Sequence, residues 1–210
     1  EIMVVTGVQT CALPISIVGA YFDAQETLNG YYHVLEQILK TYGIPYMFYT
    51  DRRTVFEYKQ KKSPSIEEDT FTQFGYACKQ LGIDIKTSSV PQAKGRVERM
   101  FQTLQSRLPI ELRLAGVGTL EQANEFLNSY IKKFNAQFSL PLDNIKSVFE
   151  TQPSIEKINL TLGVLAGRKI DNGSCVKYHK EYYLPVDAKG HPVYYHKGTC
   201  GIVIKAFNNE

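Results

Sequence analysis

Two carboxylates stand apart from the other acidic residues by their placement. Asp51 ends the continuous apolar and aromatic run Pro45–Thr50. Glu98 follows the segment Pro91-Gln-Ala-Lys-Gly95, at the opening of a long amphipathic stretch. An aspartate at the C-terminal end of a buried strand lies on the sheet edge where α/β folds collect their ligands. A glutamate in the first turn of the following helix can face the same cleft. Hydrolysis or transfer of a phosphodiester through two metal ions needs hard oxygen ligands that hold Mg²⁺ ions about 3.5–4 Å apart. Asp51 and Glu98 are of the type to supply two of those ligands. Both placements also have plainer uses, because a first-turn glutamate favours the helix dipole and a strand-end aspartate often starts a turn.

The charge around Glu98 points the same way. Residues 88–113 hold five basic side chains, Lys94, Arg96, Arg99, Arg107 and Arg113, against Glu98 and Glu111. Cations there suit a phosphate backbone held beside a carboxylate metal site, although a solvated helix face has the same composition. The segment 163–210 is also basic, with seven cations to four anions and interleaved Tyr178, Tyr182, Tyr183, Tyr194 and Tyr195. Those tyrosines fit either a small β core or a surface beside DNA. The histidines (His33, His179, His191, His196) and cysteines lack metal-site spacing, and Cys78 and Cys175 read as packing residues in a reducing compartment.

The elements that must position these groups follow from periodicity. Ile17–Asp23 is a short apolar strand, and Glu26–Tyr42 carries Leu28, Tyr32, Leu35, Ile38 and Leu39 on one stripe before Gly43 ends it. Pro45–Thr50 reads as a strand buried on both faces. Lys59–Asp69 is a polar loop insertion, Thr70–Leu81 a helix stopped by Gly82, and Ile83–Thr87 a strand. Ser88–Lys94 is a loop and Gly95–Leu112 a helix. On it Val97, Phe101, Leu104 and Leu108 fall within about 60° of one another at ~100° per residue, leaving Glu98 beside the stripe. Thr119–Ala136 is a further helix, and a short one lies near Val148. After Gly163 come short strands at Arg168–Ile170, Cys175–Tyr178, Tyr182–Val186, Val193–Tyr195 and Gly201–Ala206, with Asp171-Asn-Gly173 as a hairpin turn. These strands predict a small β-barrel or curled sheet.

Composition bounds the reading. The chain has 210 residues, 43% hydrophobic and 21% charged, with a net charge of +3 and four cysteines. That is too apolar and balanced for a disordered chain, and too poor in cysteine for a disulfide scaffold. No apolar run is long enough to cross a membrane. Residues 1–16, EIMVVTGVQTCALPIS, lack the basic start and small-residue cleavage site of a signal peptide. They fit a strand at Ile2–Val5 and a loop around Pro14. The run Val5–Ile15 also resembles an in-frame translation of a common sequencing adapter, which sets residues 1–16 outside the fold reading.

The segments Tyr49-Thr-Asp51-Arg-Arg-Thr-Val-Phe56 and Pro91-Gln-Ala-Lys-Gly-Arg-Val-Glu98-Arg-Met-Phe-Gln-Thr-Leu-Gln105 together resemble the integrase core of DDE transposases and retroviral-type integrases, above all the ISNCY type of insertion-sequence transposase. Forty-six residues separate Asp51 from Glu98, a spacing lengthened by the insertion Lys59–Asp69. The resemblance spans Ile17–Glu210, including Arg168–Val176 of the terminal strands. It implies an α/β RNase H-like integrase core, N-terminally truncated, over 17–115, a helical extension over 116–162 and a small C-terminal β-barrel-like domain over 163–210. It implies Asp51 and Glu98 as catalytic and metal-binding residues for two Mg²⁺ or Mn²⁺ ions, and Gln92, Lys94, Arg96, Arg99 and Arg107 as DNA contacts. It also implies cleavage and strand transfer at insertion-sequence ends, homo-oligomers on terminal-repeat and target DNA, and a cytoplasmic, nucleoid-associated protein without a membrane anchor. The family's first catalytic aspartate belongs on a strand that would precede residue 16, and Asp23 is a weak substitute. The chain is then expected to lack strand transfer on its own, or to be a non-catalytic DNA-binding fragment.

Overall fold

The computed structural model describes residues 2–7, 16–50, 66–87, 91–138 and 149–208, with backbone alone at 2–7, 66–72, 87, 91–94 and 96. The chain forms two compact units, Glu1–Ile155 and Glu156–Glu210. The helical extension expected over 116–162 is therefore divided between them.

In the first unit, strand β1 (Ile2–Gly7) pairs antiparallel with β2 (Ser16–Phe22). The segment set outside the fold reading thus contributes a strand, as its β-branched residues Ile2, Val4 and Val5 favour. Helix α1 (Leu28–Thr41) is capped by Thr27, whose hydroxyl accepts from Gly30 N at 3.0 Å. Its buried face, with Tyr32, Val34, Leu35, Ile38 and Leu39, covers the sheets. Val34 and Ile38 pack on Val18 and Tyr21 of β2 and on Phe48 of β3 (Met47–Thr50). The helix ends where Gly43 takes φ +102° and donates to Ile38 O at 3.2 Å. A Cβ at Gly43 would lie 2.0 Å from Glu150 O, so the position admits only glycine.

Strand β3 pairs in parallel with β4 (Asp84–Thr87), through the crossover helix α2 (Ile66–Gln80). β3 is not buried on both faces, since Tyr49 is 62% exposed. Helix α2 begins inside the stretch expected to be a loop insertion; Glu67, Glu68 and Asp69 are well suited to a first turn. The remainder of that insertion, and the short helix expected near Val148, lie outside the described residues.

Helix α3 (Pro91–Leu114) and helix α4 (Leu120–Phe138) form an antiparallel-type hairpin around one apolar core. Thr119 and Gln122 make a reciprocal cap for α4: the Thr119 hydroxyl accepts from Gln122 N at 3.3 Å, and Gln122 Oε1 accepts from Gly118 N at 3.0 Å. Met100, Leu104 and Leu108 of α3 meet Leu127, Tyr130 and Phe134 of α4 over Ile17 and Ala20 of β2.

The second unit opens with α5 (Ile155–Thr161), whose Ile158 is buried with Leu162 and Ile170. Strands β5 (Val164–Lys169) and β8 (Cys200–Lys205) pair antiparallel, as do β6 (Val176–Tyr178) and β7 (Glu181–Tyr183). Among the described residues these are two ribbons, linked by a single bridge between Ile170 and Val176, and not a closed barrel. Val193–Tyr195 is not a strand. Its pairing reduces to one bridge, Val186 to Pro192, because proline has no N–H to extend a ladder. The turn at Asp171 also differs from a two-residue hairpin. Asp171 Oδ1 accepts from Gly173 N and Cys175 N, both at 2.8 Å, and the left-handed residue is Ser174 (φ 58°).

Candidate active site

The parallel pair β3–β4 brings Thr50 and Thr87 to the same C-terminal edge. Asp51 is the next residue after Thr50 in the chain and lies outside the described residues. The Thr50 hydroxyl at this edge is buried and has no hydrogen-bond partner among the described residues.

Glu98 stands on α3, and not in its first turn as the sequence suggests. The helix begins at Pro91, which suits the first helical position because its missing N–H needs no partner there. Glu98 is therefore its eighth residue, beyond the reach of the helix N-terminus, so the dipole does not account for a carboxylate at this place. The side chain is exposed and makes no hydrogen bond or ion pair with the described residues. An exposed carboxylate of this kind is a hard donor of the type Mg²⁺ or Mn²⁺ takes. Two residues on, the buried Met100 starts the stripe that fixes the helix against β2 and α4.

The basic residues divide. Arg99 is exposed and its Nε donates to Gly95 O at 3.2 Å. Arg107 is exposed with its guanidinium 5.0 Å from the centre of the Phe138 ring, a cation–π contact that holds it on the α3–α4 surface. Gln92, Lys94 and Arg96 lie on α3 by their backbone.

Asp23, the weak substitute for a third carboxylate, has a structural task. Its Oδ2 accepts from the Thr27 hydroxyl at 2.6 Å and its Oδ1 from Ala24 N at 2.7 Å, organising the entry to α1. Among the described residues no group of three or more His, Cys, Asp or Glu side chains comes together as a metal site.

Most tyrosines of the second unit do not fill a core. Tyr182, Tyr183, Tyr194 and Tyr195 are all exposed, and cations lie over two rings: Lys177 on Tyr182 at 5.3 Å and Arg168 on Tyr178 at 5.6 Å. Cys78 is buried as expected, and burial pushes its thiol up to about 12. Cys175 is half-buried and Cys200 exposed, both free. No described helix is long and apolar enough to cross a membrane.

Sequence reasoning missed three amides, Gln37, Asn124 and Asn135, each bonded to both backbone groups of one β2 residue. Their signal was present. Asn124 and Asn135 are eleven residues apart, about three helical turns, which puts two polar residues on one side of a helix that also carries Leu127 and Phe134.

No family model matches the chain. It is 53% identical over 196 residues, 93% of its length, to the transposase for insertion sequence IS1202 of Streptococcus pneumoniae, and the match covers 41% of that protein. A Sinorhizobium fredii protein, y4bF, named as a candidate transposase, is 40% identical over 119 residues, which are 57% of this chain and 26% of that protein. The chain thus spans less than half the length of the curated relatives it matches.

Proposed function

We propose, from its homology to insertion-sequence transposases, that this chain is the part of such an enzyme that holds two of its metal-binding carboxylates and a DNA-gripping helix. The identity of 53% over nearly the whole chain carries the reading. Its fold, on this reading, is an RNase H-like integrase core followed by a smaller DNA-binding β domain.

Asp51 and Glu98 would hold Mg²⁺ or Mn²⁺, whose chemistry is to activate a water or 3′-hydroxyl and to stabilise the leaving oxygen at the scissile phosphate. The chain's own contribution is positional. The strand pair β3–β4 ends at Thr50, the residue before Asp51 in the chain, and the stripe Met100, Leu104 and Leu108 clamps α3 so that Glu98 stays on the solvent side. Arg99 and Arg107, with Gln92, Lys94 and Arg96 on the same helix, would bind the DNA backbone and align it with the carboxylates. Asp23 is engaged at the α1 entry, so a third carboxylate must come from elsewhere.

The test is metal-dependent cleavage of a duplex bearing the terminal repeat by the intact transposase. Asp51→Asn and Glu98→Gln should each lower the rate by at least about 10³-fold, as expected for members of one catalytic unit. The chain of 210 residues alone should bind the duplex without cutting it. Unchanged cleavage by Glu98→Gln would remove the assignment. Cutting by the 210-residue chain would overturn its dependence on a further carboxylate.

A further inference from the structure

Strand β2 has two edges, and the structure accounts for both. One pairs with β1 across Ile2–Gly7. On the other, three side-chain amides take the place of a neighbouring strand. Asn135 accepts from Ile17 N at 2.9 Å and donates to Ile17 O at 2.8 Å. Gln37 accepts from Ala20 N and donates to Ala20 O, both at 3.1 Å. Asn124 accepts from Phe22 N at 2.8 Å and donates to Phe22 O at 3.1 Å. Each amide reproduces the donor–acceptor pair that a residue of an antiparallel strand would offer.

The geometry behind this is specific. Ile17 and Ala20 are three residues apart and would face opposite edges of a regular strand. The register passes from Val5↔Gly19 to Thr6↔Ile17, so Val18 is bulged out and both residues turn to one edge. Helix α4 then fits along that edge. Its eleven-residue step from Asn124 to Asn135 rises about 16.5 Å. The five-residue step from Ile17 to Phe22 is about the same length in a strand. The helix runs opposite to β2, and its two asparagines meet the two ends of the strand while Gln37 of α1 closes the middle.

The sequence of β2, Ser-Ile-Val-Gly-Ala-Tyr-Phe, explains what such a closure prevents. It has β-branched and aromatic residues, no charge and no proline, the composition of segments that pair with identical copies of themselves. We propose that Gln37, Asn124 and Asn135 form an edge guard that keeps β2 from pairing with β2 of a second copy of the chain. Hydrogen-bonded closure by side chains satisfies the strand while offering an incoming strand no free ladder.

The test uses the full 210-residue chain. Asn124→Leu with Asn135→Leu keeps side-chain size and favours the helix, but removes four hydrogen bonds. Amide exchange at Ile17 and Phe22 should accelerate, and sedimentation equilibrium should show self-association at least about tenfold tighter than the parent. Leu127→Ala, which weakens the same core without opening the edge, should leave self-association at the parent value. A folded double variant with fast exchange and parental self-association overturns the proposal, as does equal self-association by Leu127→Ala. If the double variant does not fold, Gln37→Leu and Asn124→Leu singly decide by the same two readouts.

Discussion

His33 lies ring on ring against Tyr21, with centroids 4.4 Å apart and planes 17° from parallel, and its side chain is 32% exposed. Burial removes water from the imidazolium and lowers the histidine below its ordinary 6.5; Glu36 and Asp23 oppose this with smaller attractions. The folded chain therefore binds a proton less readily than the unfolded chain. On acidification the unfolded state is protonated first, so stability holds above pH 6.5, falls as pH drops through that value, and levels off below the folded value. Urea midpoints measured between pH 7 and pH 5 should show this decline. In His33→Phe, which keeps a flat ring on Tyr21, the decline should be shallower; an identical slope in both proteins would mean that His33 does not titrate with folding. The same scale shows what residue type alone can reveal. Glu98 is proposed from its neighbours in sequence, whereas the role of Asp23 at the entry to α1 becomes visible only with the Thr27 hydroxyl next to it.

At the scale of elements, periodic burial was the most legible signal, because a helix that closes a core must repeat its apolar residues at helical spacing. Leu104 and Leu108 fall on the inner stripe of α3 by spacing alone, and Leu104 is only 2% exposed between α4 and β2. Boundaries were less legible. In sequence Pro91 reads as part of a loop although proline is at home in a first turn, and the difference moves Glu98 by about one turn relative to the helix start. The ribbon pairing of the second unit was hidden for a different reason: which strands pair depends on contacts distant in sequence, such as Val164 with Lys205. The backbone bonding by Gln37, Asn124 and Asn135 is only half legible: the spacing of the asparagines marks a polar line on α4, but no alternating pattern says that it meets a strand. The shared core makes a quantitative expectation. Leu104→Ala should lower the unfolding free energy of the first unit by about 2–5 kcal/mol, through lost burial and the cavity left between α3, α4 and β2. Gln105→Ala, exposed on the same helix, should change it by no more than about 0.5 kcal/mol. Equal effects in denaturant titrations would show that the α3 stripe does not carry the packing.

Across the whole molecule, charge is distributed more informatively than its total suggests. The chain carries +3, and residues 88–113 and 163–210 each carry that much alone, so the remainder is net acidic. Cations are thus gathered on α3, next to the carboxylate read as a metal ligand, and in the second unit among exposed tyrosines. Binding built on such segments releases counterions from DNA, so affinity should fall linearly with the logarithm of salt concentration. Arg99 and Arg107 project from the same helix at an eight-residue step, which is about 12 Å along its axis, roughly the spacing of two phosphates or more on one strand. Each is exposed, and Arg107 is steadied by Phe138. The DNA role proposed for α3 therefore predicts that Arg99→Ala and Arg107→Ala each reduce the magnitude of the salt slope by about 0.9, while Gln102→Ala leaves it unchanged. Fluorescence anisotropy with a terminal-repeat duplex and a scrambled duplex, over about 50–200 mM NaCl, measures this directly. Because phosphate contacts carry no base information, the loss should be the same on both duplexes. A loss confined to the terminal repeat would make these arginines base readers, and an unaltered slope would move the DNA-binding surface off α3 altogether.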